Sequence, residues 1–415
     1  MQHQTQVRLI REALDSIDRG APPMTEAYTR NDPNAYTSVE RAGRERAVLF
    51  REFPLVAGFS CRVEKSGDYF TDSLGPTPIL VTRNQAGELR AFANICRHRG
   101  SRLVEGCGSG AVRFSCPYHA WSYDTDGKLR AIPEEAGFAT LDRDSRGLVS
   151  FPVEEKFGLV WVTPHEGASI DIEKYLGGLA EDLASYGIDD FALAEQRVVR
   201  RAMNWKLVSD TFWEAYHIKV LHKSNIAPMF VKNLALYDGF NLSHRLVGIR
   251  NSIEKMRDLP EAQWDLIPHA TILMNLFPNT ICVMQSDHVE TYRVFPVAGR
   301  ANESITEISV LVPPADADNP KWKKVMDLLV GVVEQDFAIG EQIQRNFESG
   351  VLREVVYGRY EPALEHFPDA LRQSILQTLL RPHRHRHHRR QRRHRHHPRS
   401  AATRYLLCHR PCESS

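Results

Sequence analysis

Four residues constrain this chain more than any other feature. Cys96 and His98 are followed, after seventeen intervening residues, by Cys116 and His119, giving the pattern C-x-H-x17-C-x2-H. Pairs this tight suit two facing loops, each at the tip of a hairpin, so the pattern calls for a small β-rich unit around it. The flanking sequence agrees. Ile79, Leu80 and Val81 and then Leu89 and Phe92 bracket a turn-rich stretch ending in Gly87, and Asp126-Gly127 is a hairpin-turn pair. Gly100, Gly106, Gly108, Gly110 and Pro117 stand where loops need turn residues. Seven cysteines are too few for a disulfide scaffold in 415 residues. The first twenty residues hold Val7, Ile10, Leu14 and Ile17 at helical spacing and no continuous apolar core, so they read as an amphipathic helix and not as a signal peptide. A cytoplasmic location is expected, where spaced Cys and His more often bind metal than form disulfides.

Two cysteines and two histidines match a [2Fe–2S] centre in which imidazoles replace two thiolates on one iron. The competing readings are a structural zinc site and four unrelated residues. Zinc fingers pair Cys with Cys and His with His, whereas each short motif here mixes one of each. The boxes NICRHRGSRLVEG and FSCPYHAWSYDTDGKL resemble those of Rieske non-heme iron oxygenase α subunits, the family of the aromatic ring-hydroxylating dioxygenases. The resemblance implies Cys96 and Cys116 on one iron, His98 and His119 on the other, and Trp121 packed beside them.

A second constellation lies in 203–222, which reads as one helix. Asp210, Glu214 and His217 fall at i, i+4 and i+7, on one face, among Leu207, Val208, Phe212 and Trp213. Burying ionised carboxylates there costs several kcal/mol unless they are paired. His222 sits five residues after His217, about 140° around an ideal helix, so both imidazoles reach one metal only if the helix ends or bulges between them. Two histidines call for one carboxylate to form a facial triad for non-heme Fe(II). Asp336 offers it, lying on a stripe formed by Leu329, Val332, Ile339 and Ile343, with Glu334 and Glu341 off that stripe. A helix-packing salt bridge is the plainer reading of Asp336.

This spacing again resembles the Rieske oxygenases, and the likeness spans residues 45 to about 360. It implies His217, His222 and Asp336 as ligands of a mononuclear Fe(2+), one per subunit beside one [2Fe–2S] cluster. It also implies catalytic roles for Glu214 and Asp210, with Glu214 bridging a cluster histidine of one subunit and an iron histidine of the next in a homotrimer or α3β3 assembly. The expected fold is α+β: an N-terminal helical segment (1–47), an all-β Rieske domain (48–165), and a catalytic domain of helices on an antiparallel sheet (166–380), helix-grip or START-like by resemblance. A disordered Arg/His-rich tail follows (381–415). That tail carries 11 of the 53 Lys+Arg and 1 of the 52 Asp+Glu, leaving the body acidic. A nucleic-acid footprint on the body is therefore not expected, and neither is a membrane span.

With no Gly-rich dinucleotide fingerprint between strand and helix, NAD(P)H is expected to act only through a separate reductase, with or without a ferredoxin. The expected activity is O2-dependent hydroxylation or dihydroxylation of a small aromatic or hydrophobic substrate, with Phe230, Leu276 and Phe277 as candidate lining. N- or O-demethylation of a methylated amine or ether is the alternative, and a non-enzymatic electron carrier the reading of a different class.

Overall fold

The computed structural model describes residues 1–380, so the expected tail lies outside the described residues. The fold is α+β. Its first helix, His3–Arg19, buries Leu9, Ile10, Ala13 and Leu14 and stops at Gly20, whose φ of 66° lets the chain turn back so that two backbone N–H groups cap the helix. The N-terminal helical segment continues, after a short helix Asn34–Thr37, into the helix Val39–Glu52, which runs past the expected boundary at 47. Ser38 caps it by accepting from the Arg41 N–H, and Leu49 and Phe50 are buried, Phe50 against Trp205 and Phe295. The apolar Val48, Leu49 and Phe50, at the expected start of the β domain, are thus the end of a helix, and the strands of that domain begin at Leu55; a short strand, Thr29–Asn31, lies earlier and pairs with Val355–Tyr357.

The β-rich part that follows holds a five-stranded antiparallel sheet. Its order is Ser150–Phe151, Leu89–Ala93, Ile79–Arg83, Tyr69–Asp72 and Cys107–Gly108. A second sheet combines Val153–Lys156, Leu159–Val162 and Leu55–Phe59. The hairpin expected at 83–89 pairs Ile79–Arg83 with Leu89–Ala93. A third small sheet, Arg113–Ser115, Ser122–Asp124 and Leu129–Ala131, contains the Asp126-Gly127 turn, with Gly127 at φ 79°.

The second half is a seven-stranded antiparallel sheet ordered Ala192–Arg201, Ser304–Val312, Val289–Pro296, Thr280–Met284, Ala270–Leu276, Ser243–Arg250 and Phe230–Phe240. Strand side chains alternate between faces. Cys282, Met284 and Leu276 belong to a core shared with His3–Arg19 and Gly178–Ser185. Ile281, Val283, Tyr292 and Val294 belong to the opposite core, covered by the long helix Lys321–Glu348 and the C-terminal helix Pro362–Leu380. This long helix clasps the sheet as the helix-grip expectation has it. The two halves meet at Arg293, which is buried and donates to Asp72 Oδ2 (2.9 Å), the Val56 carbonyl (2.7 Å) and Glu307 Oε1 (2.8 Å). No helix among the described residues is long and apolar enough to cross a membrane.

Candidate functional site

The two loops carrying the first four residues face one another. Cys96 and Cys116 are buried, whereas the rings of His98 and His119 sit 4.7 Å apart at a partly exposed edge. Trp121 stacks on His98 at 4.7 Å with the planes within 8°, so the tryptophan fixes that imidazole. The Cys96 thiol is pushed up, chiefly by burial. At Cys116 burial also works upward, but backbone N–H groups of Tyr118 and His119 outweigh it and hold the thiol below its usual value. N–H groups aimed at a buried sulfur favour its anionic form, the form that binds metal. The Nδ1 of His98 is buried without a hydrogen-bond partner. Two sulfurs inside and two imidazoles at the rim thus fit a cluster with mixed ligands and fit a finger-type zinc site poorly.

The second constellation is built differently from the single helix expected. The helix Trp205–Asp210 ends at Asp210, and a separate short helix, Ile218–Leu221, begins after His217. Between them Glu214 folds back. Its Oε2 accepts from the backbone N–H of Tyr216 and of His217 (3.1 Å for the latter), and its Oε1 meets His217 Nδ1. This break removes the 140° mismatch and lets both imidazoles converge. His222 Nε2 lies 3.0 Å and His217 Nε2 3.5 Å from the same Asp336 Oδ1. Ligand atoms of His217, His222 and Asp336 all lie within 4.8 Å of one another, a set suited to one metal ion. His217 is raised above its ordinary value: burial pulls it down, but the Glu214 carboxylate, then Asp336 and Glu361, outweigh it. A metal would take over the work of that proton, which is the fit expected of a facial triad.

Asp210 is not part of this group. With the helix ended, its carboxyl turns to the N-terminal segment and accepts from Tyr36 (2.6 Å), whose hydroxyl also meets Tyr357 (2.8 Å). Burial raises Asp210 to about 7, against smaller opposing effects of Tyr36 and Lys206. The stripe on the long helix also differs from its reading. Ile339 is exposed, and the buried face runs through Met326, Val333, Asp336, Phe337, Gly340 and Gln344, so Asp336 faces inward while one of its supposed neighbours does not. Leu276 lies on the far face of the sheet and Phe277 packs on Phe53, so neither joins the site; Phe230 borders the short helix beside Ile218 and Leu234.

Residues without a sequence signal complete the surroundings. Gln335 Oε1 faces His222 Nδ1 at 2.9 Å. Tyr292 packs against Phe212 at 4.6 Å and meets Glu290 Oε2 at 2.8 Å. Glu361 stands close enough to His217 and Glu214 to act on the charge of His217 and to feel that of Glu214.

Two family models fall on the two constellations. A Rieske [2Fe-2S] domain matches residues 54–151, and the catalytic domain of the ring hydroxylating alpha subunit matches residues 188–377. The chain belongs to the Rieske non-heme iron oxygenases. The glycine betaine monooxygenase oxygenase subunit of Pseudomonas aeruginosa (strain UCBPP-PA14) is 26% identical over 376 residues, covering 80% of this Rieske oxygenase and 85% of the relative. The biphenyl 2,3-dioxygenase subunit alpha of Rhodococcus jostii (strain RHA1) is 33% identical over 200 residues, covering 46% and 43%. A solved quaternary ammonium Rieske monooxygenase in complex with an inhibitor superposes with a TM-score of 0.73 at 23% identity, covering 84% of this chain and 95% of that one. The enzyme is therefore an oxidoreductase whose cofactors are a Rieske cluster and a mononuclear iron.

Proposed function

We propose that this Rieske oxygenase is a monooxygenase acting on a carbon bound to the nitrogen of a small methylated or quaternary amine. The carrying observation is the extent of likeness. Similarity to the glycine betaine enzyme runs through 80% of the chain, and similarity to the biphenyl enzyme through 46%. This is the demethylation alternative left open by the sequence, and it displaces the aromatic reading.

In this reading Cys96, Cys116, His98 and His119 hold the cluster, and His217, His222 and Asp336 hold the iron. When bound, these groups pass electrons singly and activate O2. The chain's own residues set the geometry: Glu214 keeps the proton of His217 on Nδ1. Hydroxylation consumes the substrate, O2, two electrons and two protons, and yields the hydroxylated amine and water. Where the hydroxylated carbon is an N-methyl, its C–N bond then breaks with the electron pair staying on nitrogen, the hydroxyl proton is lost, and that carbon leaves as formaldehyde. The electrons come from a separate NAD(P)H-dependent reductase, directly or through a ferredoxin. The exposed histidine edge of the cluster loops supports delivery to Glu214 of a neighbouring subunit in a trimer.

Oxygen uptake with a surrogate reductase tests the substrate class. Trimethylammonium compounds such as choline or glycine betaine are expected to stimulate uptake and yield a hydroxylated or demethylated product. Uptake only with biphenyl or benzoate would overturn the amine reading.

A further inference from the structure

We propose that Asn225 and Gln335 form an orientation relay that fixes the proton of His222 on Nδ1 and so prepares its Nε2 for metal. The relay starts from a group with no choice. The backbone N–H of Ile226 can only donate, and it lies 2.8 Å from Asn225 Oδ1, so the amide of Asn225 is oriented with its oxygen there and its NH2 on the other side. That NH2 faces Gln335 Oε1 at 3.2 Å, and because it donates, the atom opposite it is the Gln335 oxygen. The same oxygen faces His222 Nδ1 at 2.9 Å. An imidazole nitrogen opposite a carbonyl oxygen carries its hydrogen, which leaves the lone pair of His222 on Nε2, 3.0 Å from Asp336 Oδ1. One backbone amide thus sets, through two side-chain amides, the tautomer of a buried histidine.

The surroundings hold the relay in place. The backbone N–H groups of Asn225 and Ala227 both donate to the His222 carbonyl (3.1 Å each), so the loop bearing Asn225 is folded onto the residue it controls. Gln335 and Asp336 are consecutive on the long helix and grip the two nitrogens of one imidazole. The two histidines are also served unequally. His217 Nδ1 meets a carboxylate, Glu214, and His222 Nδ1 a neutral amide, so of the two imidazoles only that of His217 has a carboxylate at its Nδ1. Gln335 and Asn225 are positioning residues, and their role is independent of the substrate class.

The test uses the full chain with its cluster intact, the mononuclear site emptied by a chelator and retitrated with Co2+. Affinity is read by chelator competition and by the Co2+ EPR signal with the cluster oxidised. Gln335→Leu removes the acceptor and is expected to weaken Co2+ binding by about 10–100-fold. Asn225→Asp carries the sharper test because it changes hardly any volume. Its carboxylate still accepts from Ile226 but presents an oxygen to Gln335, which turns the Gln335 amide, brings NH2 to His222 Nδ1 and drives the proton to Nε2. The same loss of affinity is expected, with an altered EPR signal. Gln335→Glu keeps an acceptor and is expected to bind Co2+ at least as tightly as the unmodified chain. Wild-type affinity in Asn225→Asp would overturn the relay even if Gln335→Leu were weakened or failed to fold, since packing alone would then explain Gln335.

Discussion

Asp210 is the residue whose surroundings depart most from its sequence reading. Its folded value of about 7 lies above that of an exposed carboxyl, so the folded chain holds a proton that the unfolded chain has lost between about pH 4 and 7. Stability attributable to this group is therefore present at low pH and declines as pH rises through that window, opposite to the usual salt-bridged acid. Asp210→Asn keeps an acceptor for Tyr36 and removes the titration; thermal midpoints measured from pH 5 to 8 should flatten relative to the wild type. An unchanged profile would assign the proton elsewhere. Nothing in the local sequence announces this, because Tyr36 lies 174 positions away and no spacing marks it. The same holds for Gln335 and His222, 113 positions apart. By contrast the cluster residues were legible from their spacing and the turn residues beside them, although only Cys116 and His119 sit at a hairpin tip, between Arg113–Ser115 and Ser122–Asp124; Cys96 and His98 lie on a loop between two strands that do not pair with each other, so the expected first hairpin is not formed.

Elements that follow a single period were also legible: the first helix, the 83–89 hairpin and the helix that carries Asp336. The broken helix was not. Residues 203–222 have continuous helical spacing, and the break comes from contacts across the chain, with Asp210 drawn to Tyr36, and from Glu214 capping its own turn. Glu214 uses both oxygens, one for backbone donors and one for His217. Glutamine offers one acceptor in place of two, so Glu214→Gln should leave the cluster's absorption intact, loosen the turn and slow reoxidation of the reduced cluster in rapid mixing. Reoxidation at the normal rate would remove Glu214 from the electron path. Glu214→Ala should also lose a cap, about 1 kcal/mol, visible in thermal unfolding.

At the scale of the molecule, Arg293 is the joint between the β-rich half and the catalytic sheet. Replacing it with methionine leaves Asp72 and Glu307 buried without their cation, a loss of roughly 3–5 kcal/mol. Arg293→Met should lower the unfolding midpoint by several degrees, and a midpoint equal to the wild type would show that the two halves dock by apolar packing alone. Purified enzyme should hold about three irons and two acid-labile sulfides per chain, set by one cluster and one mononuclear site.

The mononuclear donors come from pieces of chain 114 positions apart, a broken helix on one side and the middle of a 28-residue helix on the other. Filling that site therefore ties the roof of the catalytic sheet to its wall. Because only the folded chain offers all three donors, every tenfold gain in free metal over its dissociation constant adds about 1.4 kcal/mol to the folded state. Iron supply would then govern how long the enzyme survives as well as whether it turns over.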